Sequence, residues 1–98
     1  MPMTETSFYI LFALQDEMHG YNIMNYVKIL TKDEVALGAG TVYTSLSKME
    51  KDGLIVLVKK ESNRKFYKIT DLGREILETE ILRIERLYKN TRAYEGRE

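Results

Sequence analysis

Thr44, Ser45, Ser47 and Lys48 lie in one run, Thr41 to Asp52, whose apolar residues Val42, Leu46 and Met49 recur at the spacing of a single helical face. One face packs, and the hydroxyl and ammonium groups on the other faces make hydrogen bonds. Their natural partners are base edges and phosphate oxygens in a major groove, which is wide enough to admit a helix. Lys59, Arg64, Lys65 and Lys68 follow on a short apolar strand and a basic hairpin, with Asn63 at its tip. Cations placed there would neutralise phosphates and fix register. Tyr21, Asn22 and Tyr43 add donors for phosphate oxygens at helix ends, although Tyr43 and Tyr67 also read as partly core. Lys51, between Glu50 and Asp52, reads as solvated charge.

Bond-making chemistry has almost no material here. His19 is the one histidine and there is no cysteine, so neither a metal cluster nor a base-activated nucleophile can be assembled. Gly38-Ala39-Gly40 superficially resembles a phosphate loop, but no strand precedes it and no lysine follows at the required position. We therefore expect no enzymatic activity, no metal and no cofactor. His19 is expected to pack at a turn and bond to backbone rather than to sense pH.

The charge is unevenly spread. The 98 residues carry a net charge of zero, yet Thr41 to Ile69 holds seven basic residues against three acidic ones. Met1 to Gly40 holds two against five, and Thr70 onward six against seven. Positive potential is thus concentrated on the third helix and the hairpin, although a charge run is also what a solvated face looks like. With 44% apolar and 31% charged residues the chain reads as one small globular domain. The start lacks the basic region of a secretory leader, and no apolar run approaches the roughly 18 residues of a membrane span. A cytoplasmic protein without disulfides is expected.

These groups need elements to hold them. Phe8 to Leu14 is apolar on every side, inside a first helix expected over Thr4 to Glu17. Met18-His19-Gly20 is read as the turn that ends it. A second helix is expected over Tyr21 to Leu30, with Ile23, Met24, Val27 and Leu30 inward. The loop Thr31 to Gly40 leads to the third helix, with Gly38 its N-cap candidate. Gly53 suits the left-handed conformation that ends a helix, and Leu54 can pack back on Met49 as in a Schellman stop. Strands are expected over Leu54 to Glu61 and from Arg64 or Lys65 to Thr70, joined by Ser62-Asn63. Thr70 or Asp71 then caps a last helix running to about Tyr94. The fold class is mainly α with a small β-hairpin: a winged helix-turn-helix domain over 1–70 and a C-terminal dimerisation helix over 71–98.

Leu77, Ile81, Ile84, Tyr88 and Thr91 are spaced four, three, four and three apart, an a/d seam. It can pack on its own domain or pair with a second chain. Ile76, Leu82 and Leu87 widen the apolar face, and a small domain has little surface left to cover both this face and the first helix. The homodimer is favoured, with Phe8, Phe12, Leu77, Ile81, Ile84, Leu87 and Tyr88 at its interface. Phe8, Phe12 and Tyr88 could line a pocket there for a small hydrophobic or aromatic effector; plain core is the other reading of that cluster.

His19-Gly20-Tyr21, Gly40-Thr41-Val42-Tyr43, the run from Met49 to Ile55, and Phe66-Tyr67-Lys68-Ile69-Thr70 with Gly73 together resemble the signature of PadR-like transcriptional regulators. The resemblance covers nearly all of the chain up to Gly73. Beyond it, only helix length and pattern resemble the subgroup with one short C-terminal helix. It implies a homodimeric winged helix-turn-helix repressor of double-stranded DNA, of bacterial or archaeal type, whose C-terminal helix reaches the partner's N-terminal helix. It also implies that Tyr21 and Tyr43 sit near the DNA backbone and that Thr41 opens the recognition helix. The family often has Ser-Pro where this chain has Gly38-Ala39, and its wing often carries glycines and a longer arginine run. The short segment Glu61 to Lys65 argues against deep minor-groove insertion. The competing reading is a winged-helix module that binds another protein and no longer binds DNA specifically.

Overall fold

Thr4 starts the first helix by accepting the Ser7 amide on its hydroxyl at 3.1 Å, in a computed structural model that describes residues 3–95. These residues form α1 (Glu5–Ala13), α2 (Gly20–Leu30), α3 (Ala39–Lys51), β1 (Ile55–Glu61), β2 (Arg64–Ile69) and α4 (Asp71–Glu95). The fold is a winged helix-turn-helix with one long C-terminal helix.

α1 ends at Ala13, well before the expected Glu17, because β2 claims the backbone that follows it. The Ile69 amide donates to the Leu14 carbonyl at 2.8 Å. Met18 and Tyr67 exchange both backbone hydrogen bonds, at 3.1 and 2.9 Å. Residues 14–18 thus bind the edge of β2 away from β1, and a helix there would leave those groups unmatched. Met18 is therefore part of the sheet rather than of a turn, and His19 is the N-cap of α2.

α3 begins one residue after Gly38, its N-cap, so Ala39 and Gly40 belong to the helix and not to the loop. Its end has the expected form: Leu54 N–H donates to the Met49 carbonyl at 2.9 Å and Gly53 N–H to Glu50 at 3.1 Å, with Gly53 at φ +79°. Leu54 is spent on this closure and β1 starts at Ile55 instead. β1 and β2 are antiparallel, with Ile55 opposite Ile69 and Glu61 opposite Arg64 and an irregularity between Leu57 and Lys59. Ser62 and Asn63 both have positive φ, 51° and 64°, the two-residue turn whose twist suits a hairpin.

The core is built from Ile10, Leu11, Leu14, Ile23, Val27, Val42, Leu46, Ile55 and Leu77, with Tyr67 and Ile69 closing it from β2. Leu30, expected inward, is 45% exposed; only Ile23 and Val27 of α2 reach the centre, with Met24 packed at its margin. α4 begins on Thr70, whose hydroxyl accepts the Gly73 amide at 3.0 Å. Its first turns pack into the domain and the rest leaves it. The Cα radius of gyration is 15.2 Å, against about 13 Å for a compact chain of this length.

The a/d seam divides accordingly. Leu77 is 1% exposed and belongs to the chain's own core, and Ile81 packs at its edge. Ile84, Leu87 and Tyr88 stand exposed, with Leu82 and Tyr94 beside them. Between the two halves Glu80 is buried, accepting the Met3 amide at 2.7 Å and two bonds from Arg83 at 2.6 and 3.0 Å. These contacts hold its carboxyl at about 2, the Arg83 bonds contributing most and the Met3 amide next.

Candidate nucleic-acid interface

The face of α3 opposite Val42, Leu46 and Met49 presents Gly40, Thr44, Ser47 and Lys51, spaced four, three and four apart. This ridge points away from the core by helical geometry alone. Lys51, read from sequence as solvated charge, thereby joins Thr44 and Ser47 on the outermost stripe. The omission is traceable: acidic neighbours in sequence suggested screening, but Glu50 and Asp52 point to other sides of the helix.

Ser45 is half-buried, and with the exposed Thr44 and Lys48 it borders a cleft of about 410 Å3 shared with Met3, Thr4 and Ser7 at the start of the chain. Ser45 and Lys48 therefore flank the ridge on the α1 side. Thr41 is exposed in the first turn of α3. On the opposite side, a groove of about 390 Å3 runs between α3 and the hairpin. His19, Gly20, Tyr21, Tyr43, Ser47 and the hairpin residues Lys60, Asn63, Arg64 and Lys65 line it, and none of the described lining residues is acidic.

Tyr43 is 56% exposed rather than core. Its ring lies over Gly20 so closely that a Cβ there would come within 2.8 Å of Cε1 and 2.9 Å of the hydroxyl oxygen. The missing side chain at Gly20 is what seats the ring at the groove. Tyr67, by contrast, is buried, and its phenol is pushed above the usual range by desolvation and then by Glu50. Tyr21 is exposed at the start of α2, with Asn22 beside it.

The expected hairpin cations are not equivalent. Lys59 lies 3.5 Å from Glu17 and 3.7 Å from Glu61, and its ammonium sits 4.8 Å from the centre of the Phe66 ring. That charge is already partnered. Lys60, which sequence reasoning passed over, lines the groove with Arg64 and Lys65. Lys68 is exposed opposite Val56 near the root of the hairpin and does not line the groove. The available signal was the hairpin register: with Ser62-Asn63 as a two-residue turn, Lys60 falls directly opposite Lys65.

His19 is 6% exposed and caps α2, its Nδ1 accepting the Asn22 amide at 3.3 Å. Phe66 meets the imidazole edge to face at 5.0 Å. Burial, and after it the Arg64 charge, lowers the pKa of the ring below its ordinary value. Among the described residues, no group of three or more His, Cys, Asp or Glu is placed to hold a metal ion, and no helix is long and apolar enough to cross a membrane.

The arrangement is similar to that of known regulators. A transcriptional regulator from Clostridium thermocellum superposes with a TM-score of 0.77 at 24% identity, over 90% of each chain. A PadR-like transcriptional regulator from Bacillus cereus gives 0.75 at 26% identity, over 91% of this chain and 89% of that one. PadR of Bacillus subtilis, in complex with operator DNA, gives 0.70 at 25% identity over 78% of this chain, with 46% of that protein covered. No curated protein matches by sequence. The sequence pattern of the transcriptional regulator PadR-like family matches residues 10–79, and with a winged helix, an exposed recognition ridge and a basic groove beside it, the chain belongs to that family.

Proposed function

We propose that the chain is a sequence-specific repressor that binds a pseudo-palindromic operator in double-stranded DNA as a homodimer in the cytoplasm. The carrying observation is the groove between α3 and the hairpin, lined by Lys60, Arg64 and Lys65 with no acidic side chain among its described lining residues. A duplex backbone fits that charge, and the ridge Thr44, Ser47 and Lys51 would then face base edges, with Ser45 and Lys48 at its flank. Tyr21, Asn22, Thr41 and Tyr43 contact the backbone at the helix ends, and Asn63, Arg64 and Lys65 do so from the wing. Lys59 and Lys68 contribute to the field rather than to contacts. The operator complex of the Bacillus subtilis protein supports this reading.

The dimer is supported by the exposed run Leu82, Ile84, Leu87, Tyr88 and Tyr94 on the part of α4 that leaves the domain. In this reading dimerisation belongs to that outer part and to α1, and the base of α4 is part of the winged domain. Phe8 and Phe12 stack with ring centres 6.0 Å apart, and Phe8 lines a cleft of about 360 Å3 with Arg83 and Ile84. A small aromatic effector bound there would alter the separation of the two recognition helices.

The test is a low-salt mobility-shift assay on the DNA upstream of the chain's own gene, followed by duplexes with varied half-site spacing. Binding should peak with half-sites about 10 to 10.5 base pairs apart or a multiple of that. Equal, weak affinity for every duplex would overturn the reading in favour of a protein-binding winged helix.

A further inference from the structure

Among the described residues, the hydrogen-bonding neighbour of His19 Nε2 in the groove wall is Arg64. His19 Nδ1 accepts the Asn22 amide at 3.3 Å, so the neutral ring must hold its proton on Nε2. Burial, and after it the Arg64 charge, lowers the pKa and so favours the neutral ring, and an imidazolium would lose the cap, because both nitrogens would then be donors. Nε2 lies 3.4 Å from a terminal nitrogen of Arg64. A guanidinium has five donors and no acceptor. Two donors therefore face each other across 3.4 Å at the wall of the basic groove, one of them on a side chain 6% exposed.

The alternative tautomer does not relieve this. It would free Nε2 to accept from Arg64 but would set Nδ1–H against the Asn22 amide. That amide is fixed by the first turn of α2, whereas Arg64 is an exposed side chain on the hairpin. Phe66, edge to face with the imidazole at 81°, further restrains the plane of the ring.

We propose that His19 Nε2–H and the Arg64 guanidinium together form a seat for one phosphate oxygen. An acceptor-only anion satisfies both donors at once, and the surrounding Lys60 and Lys65 supply the matching field. Given the DNA-binding reading above, on which this rests, the phosphate is that of a duplex backbone crossing between α3 and the wing. A free phosphate-bearing molecule has the same chemistry.

The seat is tested on the full chain with imidazole-nitrogen NMR and with two variants. In the free protein Nδ1 should be unprotonated and Nε2 protonated, and inorganic phosphate or duplex should shift the Hε2 resonance. His19→Asn keeps the cap, since Asn is among the best N-cap residues, but removes the Nε2 donor. It should weaken binding to every duplex alike, about tenfold, and leave the salt dependence unchanged because the deleted donor is neutral. Arg64→Gln should also reduce the salt slope by about one for each phosphate it no longer neutralises. DNA binding by His19→Asn equal to wild type overturns the seat while leaving the DNA-binding reading standing. A wild-type chain that binds no duplex but whose Hε2 responds to phosphate reverses that outcome: the seat holds and serves a free phosphate. An Hε2 indifferent to both overturns the seat.

Discussion

Gly73, in the first turn of α4, lies so close to the Leu54 carbonyl that no Cβ fits between them, and a Cβ there would also come within 2.8 Å of Ile69 Cγ1. Around this contact Thr70 donates its hydroxyl to the Gly53 carbonyl at 2.6 Å and its amide to the Leu54 carbonyl at 2.9 Å. The end of the recognition helix, the root of the wing and the start of α4 are therefore one joint. The start of α4 is thereby tied to the end of α3 by backbone contacts.

Gly73→Ala should destabilise the fold by roughly 2–3 kcal/mol, although alanine is ordinarily the better helix residue. The obstruction is backbone, which cannot swing aside. Denaturant unfolding measures it, and a stability equal to wild type would show that the joint is loose.

Gly20→Ala should behave differently. The atoms nearest to the new methyl belong to the end of the exposed Tyr43 side chain, which can rotate away, so stability should stay within about 0.5 kcal/mol of wild type. Operator affinity should fall about fivefold as the displaced phenol loses a hydrogen bond. Paired unfolding and binding curves separate the two effects; unchanged affinity would remove Tyr43 from the interface.

Glu80 makes stability depend on acid pH. Its carboxyl sits at about 2 in the folded chain against an ordinary 4.5, so the unfolded chain binds more protons between those values. The stabilisation is whole above pH 4.5 and is lost as pH falls toward 2. Glu80→Gln should lower the midpoint of thermal unfolding at neutral pH and flatten its decline over that window. A decline as steep as in the wild type would place its cause in other carboxylates.

Ile84→Asp with Leu87→Asp should dissociate the proposed dimer, because each would bury an unpaired carboxylate at a cost of several kcal/mol. Both side chains are exposed in the single chain, so the monomer should remain folded by circular dichroism. Sedimentation reads the outcome: a wild-type monomer at micromolar concentration, or a doubly substituted dimer, would each defeat the assembly.

Local interactions were legible in the sequence because they depend on few neighbours. The Thr70 cap, the Gly53 closure, the Ser62-Asn63 turn and the Val42, Leu46 and Met49 stripe each follow from backbone geometry within a few residues. So did the order of helices and hairpin and the concentration of positive charge. The tertiary structure decided whatever required distant segments to compete. α1 stops at Ala13 because β2, far along the chain, takes the backbone of Leu14 and Met18. Leu77 went to the core and Ile84 to the surface although both fit one seam, since the domain ends partway along α4. Lys59 was neutralised by Glu17 from another element, while Lys60 and Lys51 turned outward. Arg64 came to lie 3.4 Å from His19 only when the hairpin folded beside the start of α2, and no spacing along the chain encodes an approach between residues 45 positions apart.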